Sequence, residues 1–255
     1  MFLNIIILKV RLILVLLFVS SSIIAQEKTH YDFWNRITIS QPITKSFKAE
    51  IEFQNRWQND YYSRNTFWFE YQLMNSIRLW GYYQLNPKIS VFISPFAYFE
   101  NSPIIKNDGN ENKVKSYENR YTIGLEWKQN LFQKTFLIYK NSIEYRDFKN
   151  TSPDYFRFRE KLGLKQELNS KWSLFAYDEL FINAINSNGN HFFDQNRIGF
   201  SVNLNANKNL KFELGYLFNV RSQKNSSINL QENNLILNTY FTIPNKRIKS
   251  NGNHS

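Results

Sequence analysis

The sequence predicts an all-β fold, an antiparallel up-and-down transmembrane β-barrel of about 10–12 strands. Three observations lead there. An export signal opens the chain, and no later stretch approaches the roughly 20 apolar residues that a transmembrane helix needs. Segments of about ten residues with apolar/polar alternation then follow one another almost to the end. Short turns and long loops join them alternately, like the periplasmic turns and extracellular loops of outer-membrane barrels. The stretch 154–183 shows the unit clearly. Phe156, Phe158, Leu162, Leu164 and Leu168 share one parity, and Arg157, Arg159, Lys161, Lys165 and Glu167 share the other. Side chains of a strand alternate between faces, so one face is oily and the other charged. Asn169 and Ser170 supply turn chemistry before WSLFAYDELFIN. A two-residue turn sets Lys161 opposite Asp178, a three-residue turn sets it opposite Glu179, and either register offers a cross-strand ion pair.

The first element, residues 1–25, reads as a cleaved signal peptide: Lys9 and Arg11, the apolar run LILVLLFV at 12–19, then SSSIIA ending at Ala25. Ile23 stands where the pattern has a second small residue, and an uncleaved anchor is the competing reading. Residues 26–244 form the barrel domain and 245–255 a polar tail. The segment 33–40 is short and QPITK turns it. In 47–57, Phe47, Ala49, Ile51, Phe53 and Trp57 oppose Lys48, Glu50, Glu52, Gln54 and Arg56. A run from Thr66 to Leu85, the turn Asn86-Pro87-Lys88 and a strand at 89–100 lead to the longest loop, 101–116. Strands follow at 117–128, 135–148 and in the 154–183 hairpin, then at 192–205, 210–220 and 233–243. Short turns at 41–45, 86–88, 129–134, 169–171 and 206–209 interleave with long loops at 58–65, 101–116, 149–153, 184–191 and 222–229. This makes eleven segments, whereas bacterial single-chain barrels normally have an even number. Either 33–40 is a plug or partial strand, or 66–85 hides a bend.

Composition agrees with this reading. The chain carries 23 Phe, 15 Tyr and 6 Trp, yet its mean hydropathy is −0.49. A barrel displays its rings as an outer belt while a polar lumen lowers the mean. The formal charge is +11, of which Lys9 and Arg11 leave with the signal, so that +9 remains. The basic residues are scattered apart from the tail at 246–249, and the export signal takes the chain away from cytosolic nucleic acid, so no nucleic-acid partner is expected; outer-membrane lipid and, during insertion, barrel-assembly machinery are the partners implied. Cysteine is absent, so backbone pairing and packing must hold the fold.

Trp34, EIEFQNRW (50–57), RFREKLGLKQEL (157–168), YDELFIN (177–183) and NRIGFSVNLNANKNLKFELGYLF (196–218) stand in an order and spacing that resemble a family of exported bacterial proteins, the domain of unknown function DUF2490. The resemblance covers nearly the whole mature chain. It implies an outer-membrane-like barrel and brings no activity with it.

No constellation of residues points to catalysis. The three histidines are His30, His191 and His254. His191 with Asp194 and Ser187 would suit a hydrolase acting on lipid or peptide, but residues so close in a loop mouth meet by chance, and a solvated loop histidine is the plainer reading. No two histidines stand at ligand spacing, Asp108-Gly109-Asn110-Glu111 lacks the calcium-loop pattern, and no Gly-rich phosphate loop is present; no cofactor is expected. What remains is a charged lumen, with Glu50, Glu52, Arg56, Arg120, Glu126, Glu144, Arg146, Arg157, Arg159, Lys161, Glu179, Arg197, Glu213 and Arg221 on inward parities or near them. These line a pore or solute site, or they fill a narrow interior as mutually satisfied pairs. The expected role is therefore a non-enzymatic outer-membrane barrel: a narrow channel, a transporter of small solutes or lipid, or a structural component. The alternatives are a hydrolase using His191 and an adhesin-like protein binding through its long loops.

Overall fold

Alternating strands with an oily and a charged face must cover both, and closing the sheet on itself does so without leaving an edge. A computed structural model of the protein describes residues 30–60, 67–105, 113–149, 153–185, 192–223 and 226–245. The proposed signal peptide, His191, Ser187 and the end of the tail lie outside them. The described residues contain no helix and eleven strands: β1 (His30–Pro42), β2 (Phe47–Gln58), β3 (Tyr71–Asn86), β4 (Ile89–Asn101), β5 (Ser116–Phe132), β6 (Thr135–Phe148), β7 (Tyr155–Glu167), β8 (Trp172–Ile185), β9 (Phe193–Asn205), β10 (Leu210–Gln223) and β11 (Ser226–Thr242). They form one closed barrel in which each strand pairs with its chain neighbours and β11 returns to β1.

The expected even count gives way here. Consecutive strands of an up-and-down barrel reverse direction, so an odd number leaves the first and last pointing the same way. β1 and β11 accordingly pair in parallel, from His30↔Glu232 to Ser40↔Thr242, while the other ten neighbouring pairs are antiparallel. The segment at 33–40 is neither plug nor partial strand, because β1 is bonded along its length to both β2 and β11. The run 66–85 hides no further strand, since β3 is continuous from Tyr71.

Short turns fall at one end and long loops at the other, with one correction. A loop was expected at 222–229, but β10 runs to Gln223 and β11 starts at Ser226. Three of the short turns owe their shape to an asparagine. Asn86, Asn169 and Asn207 each accept the backbone N–H groups two and three residues on, and Thr44 does the same with its hydroxyl. In the β5–β6 turn Gln133 and Lys134 take positive φ, 21° and 58°, the handedness that suits the strand twist.

Register sorts the faces. Ile37, Phe53, Ile123 and Phe158 point outward in a belt of large exposed apolar side chains, and the half-buried Ile77 and Tyr98 share that face. Rings gather at both rims of that belt. Phe47, Tyr83, Trp127 and Trp172 stand near the short turns, and towards the loops Tyr121 stacks on Tyr145, which in turn packs on Phe156. The belt has polar exceptions, among them Asn55 bonded to Asn75, and the acids Glu160 and Asp178. Glu160 accepts from Asn141 and the Tyr139 hydroxyl, and Asp178 accepts from Asn196.

Inside, Gly199 pairs with Tyr177, whose ring lies flat over it, as Phe175 lies over Gly163. A Cβ at Gly199 would overlap the Tyr177 ring. Gly199→Ala should therefore lower stability by about 1–3 kcal/mol, the usual cost of overpacking, although alanine suits a strand better than glycine. The urea midpoint of the detergent-refolded protein measures it; an unchanged or raised midpoint would show that the ring moves freely.

Candidate functional site: the charged interior

An eleven-stranded barrel is slightly wider than the eight-stranded barrels whose interiors side chains just fill. This interior is filled at the loop end and open at the turn end. All fourteen residues picked from the sequence project into it, grouped in three levels.

Nearest the loops, Glu118 receives a bidentate pair from Arg146 (Nε to Oε2 2.8 Å, Nη2 to Oε1 2.9 Å) and a further bond from Arg120. Arg221 reaches Glu232 at 3.1 Å. Here Gln58, Asn59, Glu118, Asn219, Glu232 and Asn234 are all 0% exposed, so among the described residues these six side chains fill the mouth. Residues 102–105 help to cover it: Gln58 Nε2 donates to the Pro103 carbonyl, and the Ile105 side chain is buried.

At mid-height, contacts cross the lumen. Glu144 on β6 binds Arg78 from β3 at 3.2 Å, Arg157 from β7, and Arg120 from β5 at 3.8 Å. Arg157 also pairs with Asp194 at 2.7 Å. Phe181 is 1% exposed beneath the guanidiniums of Arg157, Arg159 and Arg197, whose centres lie 4.4–5.1 Å from its ring centroid. Arg197 also reaches Trp34 on β1 (5.0 Å), which Arg56 covers at 3.6 Å. Trp34 packs with Leu217, Ile236 and Tyr177. The contacts thus pass from β3 through β6–β9 to β1 and β2, and make a septum.

The register at the β7–β8 turn is the three-residue one, with Lys161 opposite Glu179. The ion pair expected between them is not made. Glu179 binds Arg159 at 2.6 Å and Arg197 at 3.7 Å, and the Lys161 ammonium lies 3.4 Å from the centroid of the Tyr177 ring. Arginine's planar fork and cation–π reach outcompete the lysine. Asp178, the other register's partner, faces outward opposite Leu162.

Towards the short turns the lumen widens into a cavity of about 790 Å³. Glu52 pairs with Arg36 (3.3 Å), Glu50 with Lys48 (2.7 Å) and Glu126 with Lys140 (3.7 Å). Glu213 accepts from Ser201, Asn238 and Tyr240. Eight cations line this vestibule, among them Lys45, Lys128, Lys208 and Lys211, against the three acids Glu50, Glu52 and Glu126. Its field favours anions.

Trp34, Arg78, Phe181, Glu118 and Asp194 stand outside the fourteen picked from the sequence, although alternation puts Glu118 on the charged face with Arg120. All but Asp194 lie on inward parities and were visible as such; their roles come from partners several strands away. Asp194 was considered as the orienting acid for His191, and its carboxylate is bound by Arg157 in the interior.

A closed β-barrel with an aromatic-rimmed apolar outside, a charged inside and turns of unequal length at its two ends is the class that fold and interior define. The model of a family described as a protein of unknown function, DUF2490, matches residues 31–230, and the chain belongs to that family. No curated protein is significantly similar to it in sequence.

Replacing Glu144 by Ala would leave Arg78 and Arg157 facing each other without their shared acid. Breaking such a buried group costs about 3–5 kcal/mol. Glu144→Ala should thus lower the temperature of the heat-induced gel shift strongly, and Glu144→Gln, which keeps an acceptor, should lower it less. Equal, small shifts would mean that water replaces the carboxylate.

Proposed function

We propose that this protein is a non-enzymatic outer-membrane barrel, closed to free diffusion, whose basic vestibule receives small anionic solutes on the periplasmic side. The observation that carries the reading is the septum: Arg78, Glu144, Arg157, Phe181 and Trp34 are each at most 5% exposed, between a covered loop mouth and a vestibule open at the short turns. An export signal, the apolar belt and the two aromatic rims support the membrane location, and the short turns then face the periplasm. Glu160 and Asp178 are costly in lipid, and each has a local hydrogen-bond partner to offset that cost. The engagement of Asp194 by Arg157 counts against the hydrolase alternative, because it occupies the acid that this reading assigns to orienting His191.

Protein refolded into a planar bilayer, and shown to be folded by its heat-shifted mobility, should give no discrete conductance steps. Trp34→Ala/Phe181→Ala, which removes two rings from the septum, should produce them. Steps from the unaltered protein would refute a closed lumen. In detergent at low salt, pyrophosphate should bind, and Lys140→Ala/Lys211→Ala should weaken it about tenfold, or roughly 1.4 kcal/mol. Added salt should weaken it too, since a vestibule open to water is screened over about 8 Å at physiological ionic strength. Absence of binding, or binding indifferent to both changes, would remove the vestibule from the reading.

A further inference from the structure

Near the loop mouth, the strands that close the barrel bring four polar side chains together. His30 and Asp32 come from β1, Gln58 from β2 and Glu232 from β11. Register dictates the meeting: His30 stands opposite Glu232 across the parallel pair, and Asp32 opposite Gln58 across the antiparallel one. All four are 0% exposed. His30 Nε2 lies 3.3 Å from Asp32 Oδ1 and 3.1 Å from Gln58 Oε1, while its Nδ1 lies 3.6 Å from Glu232 Oε1.

Two details point to a cation. The Gln58 amide is held in one orientation, since its Nε2 donates to the Pro103 carbonyl at 2.8 Å and its Oε1 accepts from the Ile105 N–H at 3.3 Å. An oxygen, not an N–H, therefore faces His30 Nε2. Furthermore, among the described residues neither oxygen of the buried Asp32 carboxylate receives a hydrogen bond. A proton on His30 Nε2 is directed at Gln58 and leaves Asp32 without a donor. A metal ion can satisfy both, because coordination draws on every lone pair around it. On the far side, Glu232 Oε2 is taken by Arg221 and Asn219, which leaves Oε1 facing His30 Nδ1. At 3.6 Å this is an ionic contact and not a hydrogen bond; a carboxylate on that side favours the Nδ1–H tautomer and with it the Nε2 lone pair. His30 Nε2 at 3.3 Å from Asp32 Oδ1 and 3.1 Å from Gln58 Oε1 has the separations that two ligands of one ion take when its bonds are about 2.0–2.2 Å.

We propose that His30, Asp32 and Gln58 bind a divalent first-row metal ion of the zinc class at the seam of the barrel, with Glu232 orienting the imidazole. A nitrogen–oxygen donor set with one imidazole suits such an ion better than calcium or magnesium. The ion would tie β1 to β2 directly and to β11 through Glu232, where the sheet closes.

The test uses the untagged, signal-free protein refolded in detergent, freed of metal by chelation, and titrated with Zn²⁺ alone. One ion per barrel should bind and should raise the temperature of the heat-induced gel shift. Asp32→Asn and His30→Gln should each weaken binding by about tenfold or more while keeping the folded mobility, and Glu232→Gln should weaken it less. X-ray absorption of the loaded protein should show a nitrogen/oxygen shell with imidazole scattering. No uptake by the unaltered protein overturns the proposal, as does undiminished uptake by the folded variants, which would place the ion on His191 or His254. Should the variants not fold, the stoichiometry and absorption spectrum of the unaltered protein decide, and a shell without imidazole overturns the site.

Discussion

The parallel pairing of β1 with β11 is the constraint on which the rest of the molecule depends. It removes the two edges that eleven strands would otherwise expose. It also fixes parity around the whole ring, because one residue of slip at the seam would turn every inward side chain of β1 outward. With parity fixed, Trp34 and Arg36 enter the lumen, and Phe33 and Ile37 join the outer belt. The chain just beyond β11 reinforces the seam: the Ile243 N–H donates to the Ser40 carbonyl, and Asn245 Nδ2 to that of Pro42.

Closure then sets an electrostatic problem that the interior solves by position. A charge removed from water needs a partner, and acids in the filled part of the lumen are shared among several guanidiniums. Glu144 serves three arginines, Glu118 two and Glu179 two. Most of the unpaired ammonium groups stand where solvent can meet them, in the vestibule at the short turns. A field that selects anions there follows from the need to keep unpaired ammonium groups wet.

Much of this was legible in the sequence, and the misreadings have physical causes. Alternation identified the inward set because the side-chain period of a strand is 2 and needs no tertiary information. Asn-Pro-Lys, Asn-Ser-Lys and Asn-Lys-Asn marked tight turns because an asparagine side-chain carbonyl can cap the N–H groups two and three residues on. The start of β11 was missed because Ser226–Glu232 contains only two apolar residues, Ile228 and Leu230; it is a strand because β10 pairs with it. The pairing of Glu179 was misassigned because cross-strand position names a neighbour, while Arg159 and Arg197 compete for the same oxygens. The cluster around His30 had no signal at all, since Asp32 and Glu232 are joined only by the closure of the ring.

The chemistry of the cations follows the same division. Those that touch Glu144, Phe181 and Trp34 are arginines: Arg56, Arg78, Arg120, Arg157, Arg159 and Arg197. The vestibule is lined mainly by lysines, including Lys45, Lys48, Lys128 and Lys211. A guanidinium is weakly hydrated, and its flat face can cover Trp34 or Phe181 while its edge binds Glu144 or Glu179, so a single side chain meets both apolar and ionic neighbours. An ammonium holds its water tightly and has no such face. The septum thus combines rings and carboxylates in one packed layer without apolar residues on both faces of every strand. That keeps each strand half polar, and the mean hydropathy stays at −0.49 in spite of the aromatic belt. A barrel plugged by leucines would present strands oily on both sides, the segments most prone to aggregate before they pair.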